Sequence, residues 1–429
     1  MIQLDSGRAR RTAVDRRADR LVAMAAIAAA LAFLCAAAVA AFLPASLRLG
    51  TWLPLHLALA GGATTAIAGM MPFFSAAFAT TQPVDARVRW ASVTAVALGA
   101  LLIAAGYVAG NLWLAAAGGS AFLAGIVLTA YATIVPVRRP LARAGGVVTL
   151  GYAAALLLVA VGALLATLFL AGVTPVLQAW GNLRPAHAWL NLVGFVSLVI
   201  ATTLLHFFPT VIGARILRVP SAYTTVLGLA TGTVLVALGF TVRSDWLVRA
   251  GALAVFVGAL ALAVYAGQTW RTKSTWTGDV GWHRFAMGGL LSAIAWFEVG
   301  ALVATIRLMA AGADPAAATA TAILGPMVPG WVGLAVLASA SHLVPAVGPG
   351  DPAAHARQRQ LLGRGADVRL LAADAGIAAL ALGLPLGIHA LIVAGLALAG
   401  LSLGGTVVLL VAAVATGLRS AREGGNLVA

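Results

Sequence analysis

Charged side chains and cysteine are both scarce in this sequence of 429 residues. Only 9% of the residues are charged and 62% are hydrophobic, a balance that excludes an ordinary water-soluble domain. The single cysteine, Cys35, stands alone, and no Cys-x-x-Cys motif exists. Disulfides, thiolate metal sites and covalent attachment of c-type haem are therefore excluded.

Long apolar runs fill most of the chain, and runs of 18 or more residues are typical of spanning helices. The first run is long for a signal peptide and lacks a small-residue cleavage site, so we interpret it as a retained helix. We predict an all-α integral membrane protein with a basic arm (1–20), one twelve-helix membrane domain (21–418) and a tail (419–429). The predicted helices cover roughly 21–43, 53–79, 91–109, 112–135, 147–172, 187–213, 223–241, 246–268, 284–311, 320–346, 368–386 and 389–418.

The net charge of +15 comes from basic residues that alternate from one predicted side to the other. With the N-terminus in the cytoplasm, 22 of the 27 Lys and Arg residues fall on the cytoplasmic side, which is the positive-inside pattern. We predict a multi-pass protein of the cytoplasmic membrane with both termini cytoplasmic. The charge indicates topology and attraction to anionic lipid in the bilayer, and we predict no nucleic-acid partner.

The sixth predicted helix carries a histidine near each end, His187 and His206. They are 19 residues apart, about 28 Å along a helix, so one lies near each membrane face. Ionisable side chains inside spanning helices are costly and usually functional. Their sector of the helix is expected to face protein, because lipid would leave the imidazoles unpaired.

Part of this helix recurs along the chain. His206 stands three residues before Pro209, and His342 stands three residues before Pro345. Pro72 supplies a weaker third copy, since the three prolines are 137 and 136 residues apart. Because an internal repeat decides the fold, we predict three pseudo-equivalent groups of four helices.

The histidines are the candidate ligands. By this topology His56, His187 and His389 cluster at the outer end, whereas His206 and His342 share the inner end. Two facing imidazoles suffice for a b-type haem, and three, or two with a carboxylate, suit copper, iron or zinc. We predict haem b and/or copper, with cofactor-binding residues His56, His187, His206 and His342 and a metal set of His206, His342 and Glu298.

Other readings of these residues stay open. His389 at a helix end is expected to reach interfacial water, and His283 and His355 fall in predicted loops where they are expected to be solvated. Glu298 is the only acidic residue that we place near the middle of the membrane. It would relay protons, or pair with Arg307 or with a histidine.

Two segments resemble a known family: LHLALAGG at 55–62 and AHAWLNLVGF at 186–195. They resemble NnrS-like membrane proteins and the membrane domain that precedes some actinobacterial multicopper nitrite reductase-like proteins. Twelve helices in three groups of four, with histidines on the second, sixth and tenth, also resemble the catalytic subunit of haem-copper oxidases and nitric oxide reductases. The resemblance implies an integral protein that binds haem or copper and acts in nitric oxide metabolism.

Departures from the oxidases limit what the resemblance carries over. An oxidase has copper-binding histidines on its sixth and seventh helices, and the seventh helix here has none. The resemblance therefore implies a role for His56, as the haem ligand of the second helix, and for His187, but no oxygen-reducing centre. We expect a protein that binds haem or copper and takes part in nitric oxide, nitrite or metal handling. The sequence leaves open whether it is an enzyme. We also expect a redox partner protein. The alternative is a small-solute transporter or channel with Glu298 in its path, and a silent membrane scaffold is a third possibility.

Overall fold

A computed structural model of the protein describes residues 6–139, 146–275, 283–318 and 321–426, with side chains described from residue 21 to residue 421 within these ranges, apart from residues 317 and 318. The described residues form helices and short connections, and they contain no strand. Twelve of their helices are long and apolar enough to span a membrane, as expected of a multi-pass membrane protein. We name them α1 (Leu21–Ala41), α2 (Trp52–Phe78), α3 (Ala86–Val108), α4 (Leu112–Val137), α5 (Gly146–Leu170), α6 (Thr174–Val211), α7 (Pro220–Val242), α8 (Asp245–Trp270), α9 (His283–Ala311), α10 (Thr321–Val347), α11 (Ala366–Leu386) and α12 (His389–Ala421).

The ends of several helices differ from the prediction. The prediction of a long loop over 174–185 is wrong, because this segment is helical and forms the first turns of α6. Pro175 occupies the start of this helix, where a missing N–H costs no hydrogen bond. Leu183 and Trp189 are buried on it, and this apolar burial stabilises the helix in spite of Pro185 in its interior. At the chain ends, the helix of α1 begins at Ser6 and that of α12 continues to Asn426, so part of the predicted arm and tail is helical.

Three spanning helices share an irregularity that the other nine lack in the described residues. Each has a π-helical segment, at Leu57–Ala63 in α2, Leu192–Ser197 in α6 and Pro326–Gly333 in α10. An internal proline follows each segment by 9 to 12 residues. The same three helices are the most buried, at 61, 72 and 61% of the apolar window, against 28 to 50% for the rest.

The packing divides the chain into two compact units, where the sequence predicted a single membrane domain. One unit comprises residues 1–156 with 166–171, and the other comprises 157–165 with 172–429. Within each unit, neighbouring helices approach closely through glycine. In the first, Gly99 of α3 faces the backbone of Phe122 on α4; in the second, Gly228 of α7 faces Gly258 of α8. Small residues are the usual contact surface between spanning helices.

A side chain of α8 supplies a hydrogen bond that the backbone of α6 cannot make for itself. Pro209 has no N–H, so the carbonyl of Leu205, four residues earlier, loses its helical donor. The buried hydroxyl of Tyr265 donates to this carbonyl over 2.6 Å. Further along, the Thr305 hydroxyl of α9 donates to the carbonyl of Ala252 on α8 over 3.1 Å. These bonds fix the positions of α6, α8 and α9 along one another. Two of these helices, α6 and α9, contribute residues to the candidate site.

Candidate functional site

Two histidines meet where α9 begins and α10 ends. The ring of His283, the first residue of α9, lies 6.1 Å from the ring of His342, with 44° between their planes. Phe207 of α6 packs edge-on against His342, with ring centres 5.6 Å apart. His342 was predicted as a ligand, but the expectation that His283 lies solvated in a loop is wrong, since its ring is half-buried in this cluster.

The spacing of this pair suits a single metal ion. Imidazole nitrogens bind transition metals at about 2 Å, so two imidazoles on one ion place their ring centres roughly 5 to 6 Å apart, depending on the angle at the metal. The observed separation of 6.1 Å between the ring centres of His283 and His342 is close to this range. Copper and haem iron both accept such a pair of imidazoles.

His206 lies at the same end of α6 as this pair. It directly precedes Phe207, whose ring touches His342, and its own ring is half-buried. Its backbone carbonyl accepts the hydroxyl of Thr210 over 2.9 Å, a bond within the helix. The structure therefore brings Phe207, at the end of α6, against His342 of α10, with His283 of α9 beside them; a contact of His206 with His342 stays a prediction.

His187, near the other end of α6, is held in one tautomer. Its Nδ1 lies 2.8 Å from the carbonyl oxygen of Gly162, which can only accept, so Nδ1 carries the proton. The amide of Asn191 donates to the His187 carbonyl over 2.6 Å. Nε2 consequently keeps its lone pair, and no hydrogen bond to it is made by the described residues. A backbone carbonyl on one ring nitrogen is the usual support for a metal-binding or hydrogen-bonding histidine.

His56 in the first unit has the same arrangement. Its Nδ1 lies 2.9 Å from the carbonyl oxygen of Trp52, and its ring stacks on that of Trp52 at 4.1 Å. Trp52 in turn packs on Tyr107 of α3, with ring centres 4.3 Å apart. His56 directly precedes the π-helical segment of α2. His389, by contrast, is an exposed residue at the start of α12.

Glu298 lies apart from the histidines. It is 15 residues after His283 on α9, about 22 Å along the helix axis, and His283 marks the level of His342. The structure therefore does not bring the predicted metal set of His206, His342 and Glu298 together. Among the described residues no three His, Cys, Asp or Glu side chains form a group that could hold a metal.

A second carboxylate lies inside the spanning helices, and the sequence analysis missed it. Asp374 is eight residues into α11, about 12 Å from its first residue. One of its oxygens, Oδ1, accepts both the Ser292 hydroxyl and the Trp296 indole N–H of α9, the latter over 2.9 Å. The expectation that Glu298 is the only acidic residue well inside the membrane is thus wrong. The signal available was an aspartate in the apolar run LLAADAGIAALAL.

The interior around Phe297 contains an apolar cavity and an indole donor that has no acceptor among the described residues. The cavity has about 420 Å³ of empty space, counted out to its open mouth. Trp331, from the π-helical segment of α10, is fully buried and stacks on Phe297 at 4.5 Å, and its indole N–H has no acceptor among the described residues. The cavity is lined by Ala188, Trp189, Leu192, Val193, Val255, Phe297, Gly300, Ala301, Ala304, Ile323 and Met327.

The cavity contains no histidine, so it offers no axial ligand for haem iron. The donor set that fits a metal is the pair His283 and His342. The sequence matches no protein-family model and none of the curated proteins to which it was compared.

Proposed function

We propose that this chain is an integral membrane protein that binds copper, or the iron of a haem, through His283 and His342. The observation that carries the proposal is the 6.1 Å separation of the two imidazole rings at the meeting point of α6, α9 and α10. Imidazole is the commonest protein ligand for transition metals, and two of them inside spanning helices are costly to keep without a ligand. The bound metal would supply redox chemistry at this end of the helices.

The recurrence of π-helices supports an architecture like that of the haem-copper oxidases. The three segments occur in α2, α6 and α10, four helices apart, and the prolines that follow them are 137 and 136 residues apart. π-Helical turns are rare and frequent at functional sites. Three groups of four helices, each with a well-buried second helix, account for this pattern.

The resemblance of the segments 55–62 and 186–195 to NnrS-like proteins supports a role in nitric oxide, nitrite or metal handling. The positive-inside pattern supports a cytoplasmic position for the His283/His342 pair at the end of its helices. Arg284 and Lys273 lie at that end, with Lys273 packed over the ring of Trp270. A redox partner would then reach the metal from the cytoplasm.

The test is metal content. The full chain is purified in mild detergent from cells supplied with haem, iron and copper, and the metals and the reduced-minus-oxidised spectra are measured. We expect about one copper or haem per chain, which is lost in His342→Ala and in His283→Ala. His389→Ala, which removes an exposed histidine, is the matched control and should retain the metal.

Spectra separate the two candidates, because only haem gives strong visible absorption bands. A colourless, metal-free preparation would overturn the proposal, and so would metal that persists in both variants. The rival function, transport of a small solute, depends on Glu298, which is about 22 Å away along α9.

A further inference from the structure

The cavity around Phe297 lies among four spanning helices of the second unit. Its wall is built by residues of α6, α8, α9 and α10, which all belong to the unit formed by 157–165 and 172–429. The empty space of about 420 Å³ is counted out to the mouth, so the enclosed part is smaller. Pockets for whole drug-sized ligands have about 300 to 1,000 Å³, and this cavity therefore suits a molecule of few atoms.

The wall of this cavity is almost entirely apolar. Among the eleven described residues that line it, Trp189 is the only one whose side chain carries an N–H or O–H group. A buried water needs two to four polar partners, and apolar cavities in proteins stay dry and take up benzene or xenon instead. The occupant that fits this wall is therefore uncharged and apolar.

Irregular helix geometry contributes to the wall. Leu192 and Val193 belong to the π-helical segment of α6, and Met327 belongs to that of α10. π-Helical turns are rare and are frequent at functional sites. Two of the three irregular segments of this protein thus border the same empty space.

Gly300 of α9 keeps the wall in its present shape. A Cβ on this residue would lie 2.5 Å from Sδ of Met327 and 3.5 Å from Cβ of Pro326. Met327 is buried, at 3% exposure, and its flexible thioether fills the space that a side chain at position 300 would need. Alanine at this position would add a methyl group to the wall and displace the thioether, so the cavity would lose this shape.

We propose that this cavity binds small, uncharged, apolar molecules from the bilayer, of the size of a diatomic gas or a xenon atom. Such molecules concentrate in hydrocarbon and enter a dry cavity for the same reason, because both transfers remove apolar surface from water. The cavity lies apart from the proposed metal site, since Phe297 follows His283 by 14 residues, about 21 Å along α9. The binding therefore does not depend on a metal at the His283/His342 pair.

Xenon is the probe, because it binds apolar cavities through contact alone. The full chain in lipid nanodiscs is labelled with ¹³C at the methionine methyl groups, which marks seven positions, and NMR spectra are recorded at increasing xenon pressure. Met327→Leu, which nearly conserves volume, identifies the Met327 signal by its loss. Met71, buried in α2 of the first unit, does not line the cavity and serves as the internal control.

We expect the Met327 signal to shift with xenon pressure and to reach saturation, whereas the Met71 signal should stay in place. Gly300→Ala and Ala304→Leu both add carbon atoms to the wall and should abolish the shift. Gly267→Ala of α8 is the matched control, because an added Cβ there meets no atom within 4 Å, and it should retain the shift. The titration of the natural chain decides the proposal even if one of these variants does not fold.

A Met327 signal that does not move with xenon would overturn the proposal, and a cavity already filled by an acyl chain would give this result. A shift without saturation, or an equal shift at Met71, would overturn it too, since xenon would then only partition into the sample. The same holds for a saturable shift that persists in both Gly300→Ala and Ala304→Leu. His342→Ala, which should remove the metal, should retain the shift, so the two proposals fail separately.

Discussion

The hydrogen bond from Tyr265 to Leu205 predicts that the loss of stability caused by Tyr265→Phe depends on whether Pro209 is present. Pro209 deprives the Leu205 carbonyl of its helical donor, and the Tyr265 hydroxyl replaces that donor across the gap between α6 and α8. Tyr265→Phe removes only this hydroxyl and leaves the ring in place. It therefore leaves a buried carbonyl without a partner, in a helix that cannot supply one.

The expected loss of stability follows from the burial and the length of this bond. Leaving a buried acceptor unpaired costs about 1 to 3 kcal/mol in proteins generally. Hydrogen bonds between spanning helices average about 0.6 and reach about 1.7 kcal/mol. The Tyr265 bond is short, at 2.6 Å, and the side chain is 1% exposed, so we expect a cost of about 1 to 2 kcal/mol.

Pro209→Ala restores a backbone N–H four residues after Leu205. In that background the carbonyl has a helical donor, and Tyr265→Phe should cost less than half as much. The free energy of unfolding in mixed detergent micelles, followed by helix content during a titration with a denaturing detergent, measures all four members of the cycle. Tyr223→Phe, which alters an exposed tyrosine on α7, is the control and should be neutral.

Equal costs of Tyr265→Phe in the two backgrounds would refute the reasoning. The hydroxyl would then stabilise the protein in some way that does not involve the carbonyl freed by the proline. A cost near zero in the natural background would refute it as well.

Three further substitutions test other contacts by the same unfolding measurement. Asp374→Ala should cost about 1 to 3 kcal/mol, because Ser292 and Trp296 lose their shared acceptor, whereas Asp374→Asn keeps an acceptor oxygen and should cost less; equal costs would contradict the assignment. Gly330→Ala should cost about 1 to 3 kcal/mol, because the added Cβ would lie 2.8 Å from Cβ of Trp296, whereas Gly400→Ala meets open space and should be neutral. Asp351 accepts the Ala354 N–H at the start of the helix Pro352–Gly363, and this bond is the main reason that its pKa is lowered from 3.8. The contribution of the Asp351 carboxylate to stability is present above pH 3.8 and is lost as the pH falls through the lowered pKa. Asp351→Asn should therefore weaken this acid-induced loss of stability. An unchanged dependence of stability on acid pH would contradict this role of Asp351.

Composition alone predicts the spanning helices, and packing decides the rest. Each of the twelve predicted runs overlaps a spanning helix, because an apolar run of this length has no other stable form in a bilayer. The start of α6 was missed because Gln178, Asn182 and Pro185 are typical of a loop. There the burial of Leu183 and Trp189 outweighs local preference.

The partners in the candidate site are distant in sequence, and this is why they were missed. Asp374 bonds to residues 82 and 78 positions away, and no local pattern predicts such a pairing. His283 lies next to a polar segment, so the sequence alone indicates a loop residue. Its contact with His342 of α10 becomes visible only in the folded structure. The π-helical segments were not predicted for a related reason. Their hydrogen bonds join residues five apart instead of four, and this change follows from how the helix packs rather than from a sequence periodicity of 3.6 residues.

The polar chemistry of the second unit is concentrated on α9 rather than on α6. The ring of His283 at its start lies against that of His342 on α10, Ser292 and Trp296 bond to Asp374 of α11, and Phe297 stacks on Trp331 of α10. Three separate groups on one helix are thus fixed to two neighbouring helices at three depths. A substitution that displaces α9 as a whole should disturb all three, whereas loss of one group alone should leave the other two intact. Gly289→Leu, whose side chain would meet Ala338 of α10, is such a displacement, and it should lower both the metal content and the free energy of unfolding. Metal content that stays unchanged in this variant would show that α9 does not support the His283/His342 pair.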